Sequence, residues 1–152
     1  MRKKILFFLI SIAALSCNKT TETDDFSIFI PSDLKETTEI LENTELQFAN
    51  DNLYLAVEKM EDNMPLDTFC KENIYSLFDF INNIDSESLK TKYGTGKIIN
   101  FNEGIYSDKY EWMVKVLPKN NLYYILWVWT PETEFENNSS KMKKIIKSFK
   151  LK

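Results

Sequence analysis

Histidine is absent from the chain. That absence excludes Ser-His and Cys-His nucleophilic catalysis, zinc sites built on imidazole and a His general base. Only two cysteines are present, Cys17 and Cys70. No apolar run is long enough to cross a bilayer core. The longest, Ile5 to Leu15, is broken by Ser11 and falls well short of the ~20 residues a spanning helix needs. Basic residues are outnumbered, 19 Lys and Arg against 23 Asp and Glu. A net-acidic chain is a poor nucleic-acid binder, so no nucleic-acid partner is expected. Internal repeats are lacking, and the only low-complexity tract is a polar stretch at 18–25.

The clearest feature present is the start. Arg2, Lys3 and Lys4 precede the apolar run, which exits through Ala14-Leu15-Ser16-Cys17. Charge, a short apolar segment and small residues at the exit are the layout of a secretory signal peptide. The exit resembles the lipobox of bacterial lipoproteins. In that family the Cys thiol is alkylated with diacylglycerol, the peptide is cut just before it, and the new amino group is often acylated. The family favours Leu where Ala14 stands and a small residue where Leu15 stands, while Ser16-Cys17-Asn18 is typical of Asn- and Lys-rich Bacteroidota-like proteomes. The resemblance implies a signal peptide at 1–16, lipidation at Cys17, a lipidated tether at 17–25 and one domain at 26–152. Two or three palmitate-type acyl chains, at ~0.8 kcal/mol per buried CH₂, hold a protein stably on a membrane. The implied address is a bacterial cell envelope, at the periplasmic or surface face of the outer membrane. An ordinary signal peptide with a chance cysteine, or an uncleaved anchor, is the competing reading. With Cys17 lipidated, Cys70 has no disulfide partner.

Without Arg2, Lys3 and Lys4 the balance becomes 16 basic against 23 acidic side chains, a net charge of −7. Hydrophobic residues make up 43% of the chain and aromatics 14%, so the part after the signal is globular rather than disordered. Asn18 to Asp25 reads as a polar tether, eight residues reaching at most ~29 Å. Phe26 to Ile30 reads as a strand stopped by Pro31, and Glu45–Phe48 with Leu53–Met60 as a hairpin around Asn50-Asp51-Asn52. Leu66 to Ile84 reads as a long helix, because Leu66, Phe69, Cys70, Ile74, Leu77, Phe78 and Ile81 recur at steps of three and four. Asn82-Asn83 would close it. Lys97–Phe101, Tyr110–Leu117 and Leu122–Thr130 read as strands, the last apolar on both faces and therefore central. Ser139 to Phe149 reads as an amphipathic helix capped by Asn138 or Ser139. The expected fold class is α+β, an antiparallel sheet between a helix at about 66–84 and a C-terminal helix at about 139–149.

This order resembles the PsbP/DcrB-like superfamily of α/β/α sandwiches. The resemblance rests on Phe26-Ser-Ile-Phe-Ile-Pro31, Tyr123-Tyr-Ile-Leu-Trp127 and Met142-Lys-Lys-Ile-Ile-Lys-Ser-Phe-Lys150, which together frame nearly all of the mature chain. Members include extrinsic photosystem subunits, a eukaryotic nuclear-transport factor and many small bacterial lipoproteins. Relatives often carry Gly-Trp shortly after the first strand's proline; here Ser32-Asp33-Leu34 follow Pro31. The resemblance implies an accessory binding subunit and no catalytic residues.

Candidate sites are few. Tyr93-Gly-Thr-Gly-Lys97 lacks the spacing of a phosphate loop and reads as a glycine-rich turn. Glu132, Glu134 and Glu136 would share one side of an extended segment, and read as a solvated acidic loop rather than a Ca²⁺ site. Cys70 lies on the apolar stripe and reads as a small hydrophobe. Tyr123, Ile125, Trp127 and Trp129 share one face of the last strand, with Trp112 beside them, and read as packing buried under a helix; the alternative is a partly open platform, with Trp112, Tyr123, Trp127 and Trp129 as the possible binding face. Lys141, Lys143, Lys144, Lys147, Lys150 and Lys152 surround the C-terminal stripe as a solvated face, with contact to anionic head groups as the alternative. No metal site, cofactor or enzymatic activity is expected. The expected role is a membrane-anchored accessory or protein-binding module, with a protein partner in the envelope. A small apolar-ligand carrier using the aromatic face is the alternative.

Overall fold

The computed structural model describes residues 19–104 and 109–152. The signal-peptide reading and Cys17 lie outside them. Ten strands and two helices follow one another. They are β1 (Lys19–Glu22), β2 (Phe26–Ile30), β3 (Lys35–Glu36), β4 (Thr44–Ala49), β5 (Tyr54–Glu61), α1 (Leu66–Asn73), β6 (Ile81–Thr91), β7 (Gly94–Glu103), β8 (Tyr110–Lys119), β9 (Leu122–Pro131), α2 (Phe135–Ser148) and β10 (Lys150–Leu151). The fold class is α+β, with a seven-stranded antiparallel sheet in the order β3-β4-β5-β9-β8-β7-β6 and a three-stranded sheet in the order β1-β2-β10.

Strand β9 lies mid-sheet, paired with β5 and β8, and its period of two divides the core. Tyr124, Leu126 and Val128 face the layer made by β2 and α2, where they meet Phe26, Ile28, Met142, Ile145 and Phe149. Tyr123, Ile125, Trp127 and Trp129 face the opposite layer, with Phe69, Cys70 and Ile74. A strand covered on both faces has no polar alternation, as its sequence anticipates. Among the described residues, no helix is long and apolar enough to cross a membrane.

Four elements differ from the sequence reading. The helix starting at Leu66 ends at Asn73, and a short 3-10 turn at Tyr75–Leu77 follows. The amide of Asn73 bonds back to the Phe69 carbonyl, and the β-branched and aromatic residues beyond it favour extended backbone. Phe78 and Ile81 still pack on the sheet, which kept the helical spacing alive in the sequence, but Leu77 turns out to solvent. Asn82 and Asn83 do not close a helix. They lie in β6, where Asn83 has φ 52 at an irregularity in the pairing with β7.

The polar stretch before Phe26 is not a free tether along its length. Lys19 to Glu22 pairs antiparallel with β2 from Ile30 to Ser27, and Asp25 binds Lys119 at 3.3 Å and Lys59 at 3.5 Å. Finally, α2 begins at Phe135, so Asn138 is inside it and caps nothing. Its buried amide donates to Thr130 Oγ1 at 2.9 Å and to the Asn52 carbonyl at 3.3 Å, joining helix, β9 and the β4–β5 turn.

Candidate functional site

The four aromatic residues expected to form a binding face are brought together. Register sets Trp112 opposite Trp129 on neighbouring strands, and their rings stack at 4.7 Å. Trp127 meets Trp112 edge-on at 6.1 Å and donates its indole N–H to Glu58 Oε2 at 2.6 Å. Tyr123 stacks on Phe69 of α1 at 4.0 Å and donates its hydroxyl proton to the Met64 carbonyl at 2.7 Å. Phe78 lies edge-on to both Trp112 and Phe101. Tyr123, Trp127 and Trp129 are buried, and Trp112 is half-buried. The face is covered by Phe69, Phe78 and Tyr54, so a ligand lying on it would have to displace them. At its margin a surface cavity of about 400 Å³ opens beside Tyr54 and Trp129.

Cys70 sits in the same layer, and burial pushes its thiol up to about 11. A thiol that stays protonated at neutral pH is a poor nucleophile and a good core residue. Lys97 reaches across from β7 to pair with Asp67 in the first turn of α1, where a carboxylate also suits the helix dipole.

The two other sequence features have structural explanations. In the Tyr93–Lys97 stretch, Lys92 and Tyr93 make the β6–β7 turn, and Tyr93 N–H donates to Thr91 Oγ1 at 3.1 Å. Gly94 follows with φ +136, a backbone region that disfavours a side chain. Gly96 sits so close to β8 that a Cβ would lie 2.7 Å from the Val116 carbonyl oxygen. Both glycines are thus required by the hairpin. The three glutamates do not line one side of an extended segment: Glu132 and Glu134 lie in a 3-10 turn and Glu136 in the first turn of α2.

One open edge stands out on the outer side of the seven-stranded sheet. The opposite edge, β3, is two residues long and offers little backbone to pair with. By contrast β6 is eleven residues long and pairs only with β7 among the described residues. Its side chains from Asn82 to Ser88 are exposed on both faces. Just before and at its start stand Leu77, Phe80 and Ile84, respectively 64%, 52% and 51% exposed. Exposed large apolar groups beside an unpaired strand are the composition of a contact surface. The sequence reading missed this edge, because a strand solvated on both faces carries no hydrophobic alternation.

Searches against protein-family models and against curated proteins find no match. Solved structures do match. Cyanobacterial PsbP (CyanoP) from Synechocystis sp. PCC 6803 superposes with a TM-score of 0.68 at 11% identity, covering 95% of this chain and 99% of that one. The Ran-binding protein Mog1p of Saccharomyces cerevisiae gives 0.62 at 11% identity over 88% and 95%. LpqN of Mycobacterium tuberculosis, involved in cell envelope biogenesis, gives 0.55 at 6% identity over 91% and 87%. The chain has the PsbP/Mog1-like fold. With that fold the order of strands and helices is accounted for over almost the whole described chain, while identities this low carry the fold alone.

Proposed function

We propose that the protein is a non-enzymatic binding or accessory module of a bacterial cell envelope, held on a membrane by lipid on Cys17 and docking a protein through the edge of β6. The observation that carries the reading is the long unpaired β6 edge with Leu77, Phe80 and Ile84 exposed beside it. An extended segment of a partner adds to such an edge by backbone hydrogen bonds, with side-chain contacts giving selectivity. Asp79, Asp85 and Glu87 punctuate this surface and Lys90 is its first cation, so the fitting segment alternates apolar and basic residues. Two proteins of the same fold support the class of role, one Ran-binding and one involved in envelope biogenesis.

The anchor reading rests on the Ala14-Leu15-Ser16-Cys17 exit. Because β1 already begins at Lys19, two residue steps separate the lipidated cysteine from the sheet. They span at most ~7 Å, which puts the β1–β2 edge against the head groups rather than at the end of a free tether. Acyl-chain labelling of wild type and Cys17→Ala tests the anchor: label in wild type alone is expected, and equal label in both ends it. Co-purification of the wild type and of a Leu77→Asp/Phe80→Asp/Ile84→Asp variant tests the docking edge. A partner lost only from the variant is expected, and a partner set unchanged by it contradicts the reading.

A second reading, an apolar-ligand carrier on the aromatic face, is favoured only by the cavity beside Tyr54 and Trp129. It requires a ligand that stacks on those two rings.

A further inference from the structure

The lysines around α2 are not uniformly a solvated face. Two of them, Lys147 and Lys150, join Lys90, Lys92 and Lys115 around a cavity of about 280 Å³ where β8, the end of α2, β10 and the β6–β7 turn converge. Its floor is apolar: Leu89, Leu117, Phe149 and Leu151. Its rim carries Lys90, Lys92, Lys147 and Lys150, and Lys115 lies at its base. No aspartate or glutamate lines it. Among the described residues, none of these five ammonium groups has a carboxylate within 4.0 Å. Lys92 lies over the Tyr93 ring at 4.8 Å, and Asp85 and Glu87 line a neighbouring cavity that shares Lys115 and Lys147, but five cations without a carboxylate partner around one cavity stand out in a chain whose formal net charge is −4.

Lys115 is the informative member. It is 5% exposed, and a buried ammonium ordinarily has a counter-charge. Its Nζ donates to the carbonyls of Ile146 at 2.9 Å and Phe149 at 2.8 Å. An ammonium has three donors, and those two acceptors are neutral. The wall of the cavity is also held in place: the Tyr93 hydroxyl donates to the Lys152 carbonyl, bridging the β6–β7 turn to the C-terminal end. The site is therefore built from four separate elements rather than from one helix face.

We propose that this cavity binds a single-chain amphiphilic anion, an alkyl chain on the apolar floor with a carboxylate or phosphate head among the lysines. The floor selects against a free inorganic anion, which gains nothing from leucine side chains. The rim selects against a neutral detergent-like molecule, which leaves the cations unanswered. The volume lies at or just below the low end of the ~300–1,000 Å³ of small-molecule sites. That size suits one short chain better than the two chains of a phospholipid. The inference does not depend on the lipid anchor or on the β6 edge.

The test uses the full chain in phosphatidylcholine nanodiscs and a photoreactive decanoate bearing a diazirine on its chain, with crosslinked peptides mapped by mass spectrometry. Labelling is expected on Leu89–Tyr93, Leu117 and 149–151, competed by decanoate and decyl phosphate but not by decyl maltoside or inorganic phosphate. A Lys92→Glu/Lys150→Glu variant, both positions being exposed, should lose labelling there by about tenfold. Should circular dichroism find that variant unfolded, Lys92→Gln/Lys150→Gln serves instead, with a smaller loss in the same direction. Labelling that survives charge removal in a folded variant, that decyl maltoside competes equally, or that is absent from these segments overturns the proposal.

Discussion

Lys115, from the middle of the sheet, ties down the end of α2 by donating to the carbonyls of Ile146 and Phe149. The Ile146 carbonyl belongs to the last turn, which has no partner within the helix, and Phe149 follows directly after it; a cation there also suits the helix dipole. Burial, with repulsion from Lys150, nevertheless pushes the ammonium down to about 8 from its ordinary 10.5. Around it Lys143 and Lys147 come from α2 and Asp85 and Glu87 from β6. Between pH 8 and 10.5 the unfolded chain therefore holds a proton that the folded chain has released. Stability contributed by this group rises with pH across that window, by at most ~1.4 kcal/mol per pH unit. In denaturant unfolding, the stability difference between wild type and Lys115→Met should be constant below pH 8 and shift in favour of wild type between pH 8 and 10.5.

Cys70 should be inert while the protein is folded. Its buried thiol is pushed up to about 11, so little thiolate exists near neutrality. Alkylation by iodoacetamide, followed by intact mass, should be negligible in native buffer and complete in denaturant. Rapid native modification would contradict the packing described for α1.

Phe69 of α1 stacks on Tyr123 of β9 and helps hold the helix on the sheet. Phe69→Ala removes a fully buried ring and should cost ~3–5 kcal/mol in urea unfolding. Tyr123→Phe keeps the ring and loses the bond to Met64, and should cost only ~0.5–1.5 kcal/mol.

Asn138→Leu should destabilise more than its helical position suggests. It removes the amide that donates to Thr130 Oγ1 and to the Asn52 carbonyl, a loss of ~0.5–1.5 kcal/mol, while Thr130 Oγ1 still donates to that carbonyl. A change within a few tenths of a kcal/mol would show that the network contributes nothing.

Gly96→Ala should also destabilise, by ~1–3 kcal/mol, since the new methyl meets the backbone of Val116 rather than a movable side chain. Chemical denaturation compared with wild type measures it. A neutral result would contradict the close approach of β7 and β8.

Much of the sheet was legible in the sequence. The two-faced apolar run of Leu122–Thr130 and the alternation at 110–117 report strands covered by layers, and they are β9 and β8. What was not legible has physical reasons. Strand β6 is solvated on both faces, so hydrophobic period carries no information about it. Phe78 and Ile81 reach the core at helical spacing without a helix, because a 3-10 turn and the start of a strand happen to aim them there. Strand β1 is a polar edge whose pairing with β2 depends on backbone. The grouping of Trp112, Tyr123, Trp127 and Trp129 could be read from register. Cover by a helix could also be read, and Phe69 of α1 supplies part of it, but the shares of Phe78, beyond the helix, and of Tyr54, from β5, could not. The lysine cavity is assembled from β6, β8, α2 and β10, and no single stretch contains its pattern.

The central claim, that a protein docks on the β6 edge, is tested most directly by photocrosslinking in living cells. A benzophenone side chain at Ser86 or Ser88, both exposed, is compared with one at Lys71 on α1. The account predicts a light-dependent adduct of one defined mass from the β6 positions, absent from Lys71 and lost on Ile84→Lys/Glu87→Lys. No adduct from β6, or one that persists in that variant, would contradict it.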